Sequence, residues 1–212
     1  MNYKTYKNNK TNNSAPFAAI CGIAPGGVPA YSCDYDSADP TVWKSRYQFR
    51  HENDGLYYGY RYQCVEFSRR WLIHVHGITF GDVGMAYEIF DFPYATRISD
   101  GSRVPWNNIR NGSSPRPVPG SVLIWDEGGE FRHTGHVAIV TEVSDNWVRV
   151  AEQNVEDVYW PEGRDYAREL IAEYNEEKDT YYIHEVWGRH GGVVLGWKNL
   201  PDDFVSEPIP HP

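Results

Sequence analysis

Long apolar runs are missing from this chain of 212 residues. No stretch approaches the roughly 20 consecutive apolar residues that a membrane-spanning helix needs. The opening MNYKTYKNNKTNNS lacks the apolar centre of a secretory signal. Cysteine is scarce and odd in number, at Cys21, Cys33 and Cys64. Without a secretion route that count predicts reduced thiols in an intracellular, cytoplasmic setting, with Cys21 and Cys33 as small buried thiols. Positive charge is in deficit: 20 Lys and Arg against 29 Asp and Glu give a net charge of −9. This argues against nucleic acid, a membrane or an anionic wall polymer as the main partner, and suits a neutral or cationic substrate. Metal motifs are absent too, with no CxxC and no HExxH. His74 and His76 stand two apart on an expected helix and face different ways, and His133 and His136 lack a third ligand, so neither a metal nor another cofactor is expected. Gly26-Gly27 sits in no GxxxxGK[ST] or GxGxxG context, which removes a phosphate cradle.

What is present is ordinary for a folded domain: 41% hydrophobic and 23% charged residues. The 16 Tyr and 8 Trp are read as packing material. The chain divides into a polar tail over 1–14, one domain over 15–201 and a C-terminal tail over 202–212. Ala24 to Pro40, rich in Gly, Pro and Asp, reads as a long irregular loop. A helix is expected from Cys64 to Val75, with Trp71, Leu72 and Val75 on the face of Cys64 and Gly77 as its stop. A short second helix is expected over Asp82 to Phe90, and Arg164 to Glu177 also has helical periodicity. SVLIW, HVAIVTEV, WVRVAEQNV and VVLGWKN read as strands, the middle two as an antiparallel hairpin turning at Ser144, Asp145 and Asn146. A helix followed by an antiparallel sheet predicts an α+β domain.

The chemistry gathers around GYRYQCVEFSRRW, Gly59 to Trp71. Cys64 stands where an extended segment becomes a helix, and a helix N-terminus stabilises a thiolate. A nucleophilic thiol needs a base to take its proton and a third group to orient the base. Among eight histidines, His136 is the candidate base, because HTGHVAIV puts it after a glycine at the mouth of a strand. If Val143 pairs with Trp147 across the hairpin turn, paired residue numbers sum to 290. His136 then lies opposite Asn154 and Glu152 opposite Ala138, all on one face. A carboxylate and an amide inside an otherwise apolar strand are costly to bury without partners. Glu152 or Asn154 is therefore expected to orient His136. Gln63 can offer an amide N–H to a developing oxyanion beside the Cys64 backbone N–H.

The blocks QCVEFSRRW, GDVGMAYEIF, GSSPRPVPGSVLIWDEGGEF, TGHVAIVTEV and VRVAEQNV resemble the amidase domain of the glutathionylspermidine synthetase/amidase and trypanothione synthetase family. That domain is of the CHAP group of cysteine amidohydrolases and peptidases. The resemblance runs from about Ala15 to Pro201 and includes APFAAICGIAPGGVPAYS. It implies a papain-like fold, with the helix carrying the cysteine packed on an antiparallel β-sheet. It also implies Cys64 as nucleophile, His136 as general base, Glu152 as orienting acid and Gln63 as oxyanion donor, with Arg69 and Asn154 touching substrate. Arg69 and Arg70 have a plainer reading as a solvated pair. The family hydrolyses the amide between the glutathione glycine and a spermidine amine through a thioester, so the implied partner is a small glutathione–polyamine conjugate, glutathionylspermidine or trypanothione. The ATP-grasp synthetase domain of the bifunctional relatives has no counterpart in these residues, so ATP and magnesium are not expected here. A peptidoglycan-cleaving CHAP amidase or endopeptidase is the alternative. It would share the Cys–His pair but would be expected to bring a secretion route, a wall-binding module or a more basic surface.

Overall fold

The computed structural model describes residues 13–211. The polar tail expected over 1–14 falls outside the described residues except for its last two. The elements run β1 (Ile20–Ala24), β2 (Val28–Tyr31), β3 (Arg50–Asn53), β4 (Leu56–Tyr60), α1 (Cys64–His76), β5 (Ile78–Thr79), β6 (Tyr94–Arg97), β7 (Arg103–Pro105), β8 (Asn107–Arg110), β9 (Val122–Trp125), β10 (His136–Val143), β11 (Trp147–Ala151), β12 (Arg168–Asn175), β13 (Thr180–His184) and β14 (Val194–Asn199). This is the expected α+β class, a helix carrying Cys64 with antiparallel sheets, except that two hairpins, β1–β2 and β3–β4, precede the helix.

Helix α1 starts without a side-chain cap: Gln63 is extended (φ −80°, ψ 163°) and its side chain makes no capping bond. Glu66 in the first turn offsets the positive end of the helix dipole. The helix stops at Gly77, whose φ of 69° is left-handed and whose N–H reaches the carbonyls of Leu72 and Ile73. It lies against one face of a seven-stranded antiparallel sheet ordered β13-β12-β11-β10-β9-β14-β8. Alternation along the strands divides the core. Val122, Ile124, Val137, Ile139 and Ala151 pack with Phe67, Trp71 and Leu72 of α1. Leu123, Trp125, Ala138, Val140, Val150, Leu170 and Ala172 face a second core on the other side.

Three expectations change. Arg164 to Glu177 is not a helix; β12 occupies Arg168–Asn175, with Leu170 and Ala172 turned inward and Glu169, Ile171 and Glu173 outward. Its Glu, Ala, Leu and Arg content favours helix intrinsically, but β11 and β13 supply hydrogen-bond ladders on both sides and the alternation is a strand's. The helix expected over Asp82 to Phe90 contracts to a 3₁₀ stretch, Ala86–Asp91. The loop expected from Ala24 to Pro40 contains β2 and a 3₁₀ turn, Tyr35–Ser37.

The β10–β11 register is partly as expected. Ile139 faces Ala151 and Val140 faces Val150, so the sum of 290 holds at this end, but a bulge between Val140 and Glu142 makes Val143 face Val148 rather than Trp147. β11 ends at Ala151, and Asn154 takes φ 63°, so Asn154 pairs with nothing across from His136. The segment after Pro201 folds back on the end of α1: Glu207 N–H donates to the His76 carbonyl at 3.2 Å and His74 Nδ1 donates to the Ile209 carbonyl at 2.7 Å.

Candidate active site

Cys64 opens α1 one short turn after β4 and is 8% exposed. The turn is tight because Gly59 lies against the helix: a Cβ there would come 3.1 Å from Glu66 Cα, and its φ is 142°. His136 is the first residue of β10 and is 2% exposed. Its ring stacks on Phe131 at 4.8 Å between centroids and packs against Trp125 at 5.0 Å. Gly135 before it has φ 61°, and a Cβ there would come 2.5 Å from the Trp125 carbonyl oxygen. His136 Nε2 bonds Glu152 Oε2 at 2.8 Å. The remaining nitrogen, Nδ1, is not engaged by Glu152, and the Cys64 sulfur acts electrostatically on the ring. Burial works against a charged imidazole, but the Cys64 sulfur and the Glu152 carboxylate outweigh it and push His136 up to about 9.

Glu152 is buried, so β11 does not become solvent-exposed after Ala151. Arg168 at the start of β12 clamps it: Nε bonds Oε1 and Nη2 bonds Oε2 at 3.2 Å. Arg168 in turn bonds Glu185 at 3.1 and 3.2 Å. Burial would raise the Glu152 carboxyl, but Arg168 first and then His136 hold it down at about 2. The imidazole and carboxylate are hydrogen-bonded and the Cys64 thiol acts on them as an electrostatic partner, a grouping of the kind that nucleophilic acyl transfer requires.

Residues 53–154 match the family model of the CHAP domain. The chain carries a CHAP domain. Over 202 residues, 95% of this chain, it is 42% identical to the bifunctional glutathionylspermidine synthetase/amidase of Escherichia coli (strain K12), covering 32% of that protein. It is 31% identical over 207 residues to the trypanothione synthetase of Crithidia fasciculata, covering 93% of this chain and 29% of that protein. The chain thus spans about a third of the length of the curated relatives it matches.

Within the CHAP domain the other expected site residues lie as follows. Gln63 is half-buried, close to Tyr35, whose hydroxyl donates to the Arg61 carbonyl at 2.6 Å. Asn154 is exposed, on the rim of a recess that also includes Glu152, Glu156, Asp157 and Arg168. Arg69 and Arg70 are 2% and 1% exposed, so they are not a solvated pair. Arg69 donates to the carbonyls of Tyr58 at 2.7 Å and Gly81 at 2.9 Å, and borders a separate recess of about 280 Å³ with Tyr57, Phe80 and Asp82.

Arg70 belongs to a network that sequence reasoning missed. Glu66, fully buried in the first turn of α1, accepts from Arg70 Nε at 2.6 Å, His51 Nδ1 at 2.7 Å and Gln153 Nε2 at 2.9 Å. Gln153 also donates to the Gln63 carbonyl at 3.3 Å and accepts from Tyr31 N–H at 2.7 Å and Arg70 Nη2 at 3.1 Å. The side chain after Glu152 thus grips the residue before Cys64, tying the segment that follows β11 to the start of α1. Among the described residues no group of three or more His, Cys, Asp or Glu is placed to hold a metal ion, and no helix is long and apolar enough to cross a membrane.

Proposed function

We propose that this chain is a cysteine amidase that hydrolyses the amide joining the glutathione glycine to a polyamine, releasing glutathione and spermidine from glutathionylspermidine. The observation that carries the reading is the buried Cys64–His136–Glu152 grouping at a helix N-terminus, in a sequence 42% identical over 95% of its length to a protein named as a glutathionylspermidine synthetase/amidase. Because that match covers 32% of the relative's length, only the amidase half of its printed name is assigned to this chain.

Cys64 passes its proton to His136 Nδ1 and attacks the glycyl carbonyl carbon. The oxyanion is met by the Cys64 backbone N–H, which as a first-turn donor has no helical acceptor, and by the Gln63 side-chain amide. The C–N bond breaks as His136 protonates the departing amine, leaving a glutathionyl thioester. Water then attacks the thioester carbonyl as His136 takes its proton, the C–S bond breaks to release glutathione, and His136 returns the proton to the Cys64 thiolate. Glu152 keeps the imidazole oriented and stabilises its charged form throughout. Arg69 and Asn154 are assigned to the substrate: Arg69 to a glutathionyl carboxylate, Asn154 to the amide at the recess rim. Glu156, exposed at that recess, suits a cationic leaving group.

The test is chromatography of glutathionylspermidine incubated with the wild type and with Cys64→Ala. Spermidine and glutathione in equal amounts from the wild type alone is the expected result. No release by a wild type whose Cys64 titrates as a free thiol refutes the substrate assignment, and cleavage of peptidoglycan fragments by the same preparation would replace it.

A further inference from the structure

The side chains around His136 close into a ring. His136 bonds Glu152, and Glu152 is held by two nitrogens of Arg168. The Arg168 guanidinium lies 5.7 Å from the Trp187 ring centroid. Trp187 stacks on Phe131 at 5.9 Å, and Phe131 stacks on His136 at 4.8 Å. Glu185 pins the far side of the guanidinium and also accepts the Trp187 backbone N–H at 2.8 Å. Three of these residues, Arg168, Glu185 and Trp187, lie beyond residues 53–154, the stretch the CHAP family model matches.

We infer that Arg168 is a positioning residue for the proposed reaction: its forked grip fixes the Glu152 carboxylate with one oxygen toward His136 Nε2 and keeps that carboxylate ionised. The inference rests on the cysteine-amidase reading of the site. A buried carboxylate facing only an imidazole would take up a proton far more readily than one bound through two guanidinium nitrogens. A protonated Glu152 holds His136 less well in its charged form and leaves the ring freer to turn. The charged or titratable groups facing Glu152 are His136 from β10, with Cys64 of α1 beyond it, and Arg168 from β12, with Glu185 after β13 on its other side. Glu156 and Asp157 line the same recess.

The experiment uses two readouts on the whole chain. The rate of Cys64 alkylation by iodoacetamide against pH needs no substrate; kcat/KM for glutathionylspermidine against pH needs one. In Arg168→Gln the acid limb of both profiles is expected to move up by about one pH unit or more, a tenfold loss per unit for measurements below the new limb. Arg168→Lys, which keeps the charge without the fork, recovers at least half of the displacement but not the full kcat. An acid limb that stays put in folded Arg168→Gln, with only the folded fraction reduced, overturns the inference. Glu185→Gln covers the case in which Arg168→Gln does not fold. It leaves Arg168 with Glu152 as its single carboxylate, so its limb stays or moves down, and an upward move overturns the inference. A wild type that alkylates with the expected profile yet releases no spermidine would refute the substrate and leave the role of Arg168 decided by alkylation alone.

Discussion

Replacing Glu66 by Gln tests whether the buried network under the nucleophile's helix holds the fold. The change is nearly isosteric, so it leaves no cavity. It removes the charge that faces Arg70, a side chain 1% exposed whose other donors go to the Pro29 carbonyl at 2.8 Å and to Gln153. It also turns an acceptor into a mixed amide, whose N–H₂ meets either the Gln153 N–H₂ or the Arg70 and His51 donors. Taking one partner from a buried ion pair costs about 3–5 kcal/mol, because the remaining charge stays buried. Domain stabilities lie at about 5–15 kcal/mol, so roughly a fifth or more of the total is at stake. With a urea m-value of about 2–3 kcal/mol/M, the midpoint followed by tryptophan fluorescence should fall by about 1–2 M. The pH dependence gives an internal check. Burial would raise the Glu66 carboxyl, but Arg70 and His51 hold it at about 2 against an ordinary 4.5. Its stabilising effect is then fully present above pH 4.5 and lost as pH falls toward 2, so the gap between wild type and variant should close on acidification. Adding Arg70→Met should recover part of the loss by removing the orphaned charge. A midpoint shift below about 0.3 M at pH 7 with unchanged m, or a gap independent of pH, would refute the assignment of the network as structural.

Three further outcomes follow from the site. His136 is held up to about 9, so kcat/KM should fall on an alkaline limb near pH 9 as the imidazole loses the proton it gives to the leaving amine; a limb near the unperturbed value of 6.5 would contradict the paired thiol–imidazole geometry. The same raised value means that the stability from the His136–Glu152 pair is complete below 6.5 and lost as pH rises through 9, which urea midpoints on either side of that window would register. Gly135→Ala should lower the melting temperature by several degrees and kcat with it. The left-handed φ of 61° at Gly135 is strained for any other residue, and a Cβ there would meet the Trp125 carbonyl. Gly101→Ala, with φ 73° and open space around it, suffers the strain alone. That strain costs about 1–3 kcal/mol at either position. Equal effects at the two glycines would show that the close approach beside His136 carries no weight.

Local signals mark the helix and the site's strands. Gln63, Cys64 and Gly77 delimit α1, and the alternation of β10 and β11 is enough to put His136 and Glu152 on one face. The bulge between Val140 and Glu142 escapes that reading because nothing in VAIVTEV marks an extra residue. The register at the site end is unaffected, since Ile139–Ala151 and Val140–Val150 still obey the expected sum. Arg168–Asn175 misleads for a different reason. Its Glu and Ala residues satisfy a helical preference worth only tenths of a kcal/mol each, while two neighbouring strands supply a ladder that no local window contains.

The same distinction explains which parts of the site stay hidden. Cys64, His136 and Glu152 stand in contexts that are odd for buried residues, so each is marked as a candidate by its own neighbourhood, although that neighbourhood leaves Glu152 and Asn154 as alternatives. Arg168, Glu185 and Trp187 occur in polar, unexceptional stretches, and only the antiparallel pairing of β11 with β12 brings Val150 opposite Arg168, two residues short of Glu152. Glu66 and Gln153 are likewise unremarkable as single letters; fold them, and a side chain from the segment that follows β11 holds the carbonyl next to the nucleophile. Reactive groups must carry their own electronic character and so leave a local trace. The groups that hold them need only the right charge at the right distance, and distance is a property of the folded chain. Substitutions at Arg168 or Gln153 should therefore reach the chemistry through the geometry and charge state of Glu152 and Gln63, although neither residue need touch the substrate.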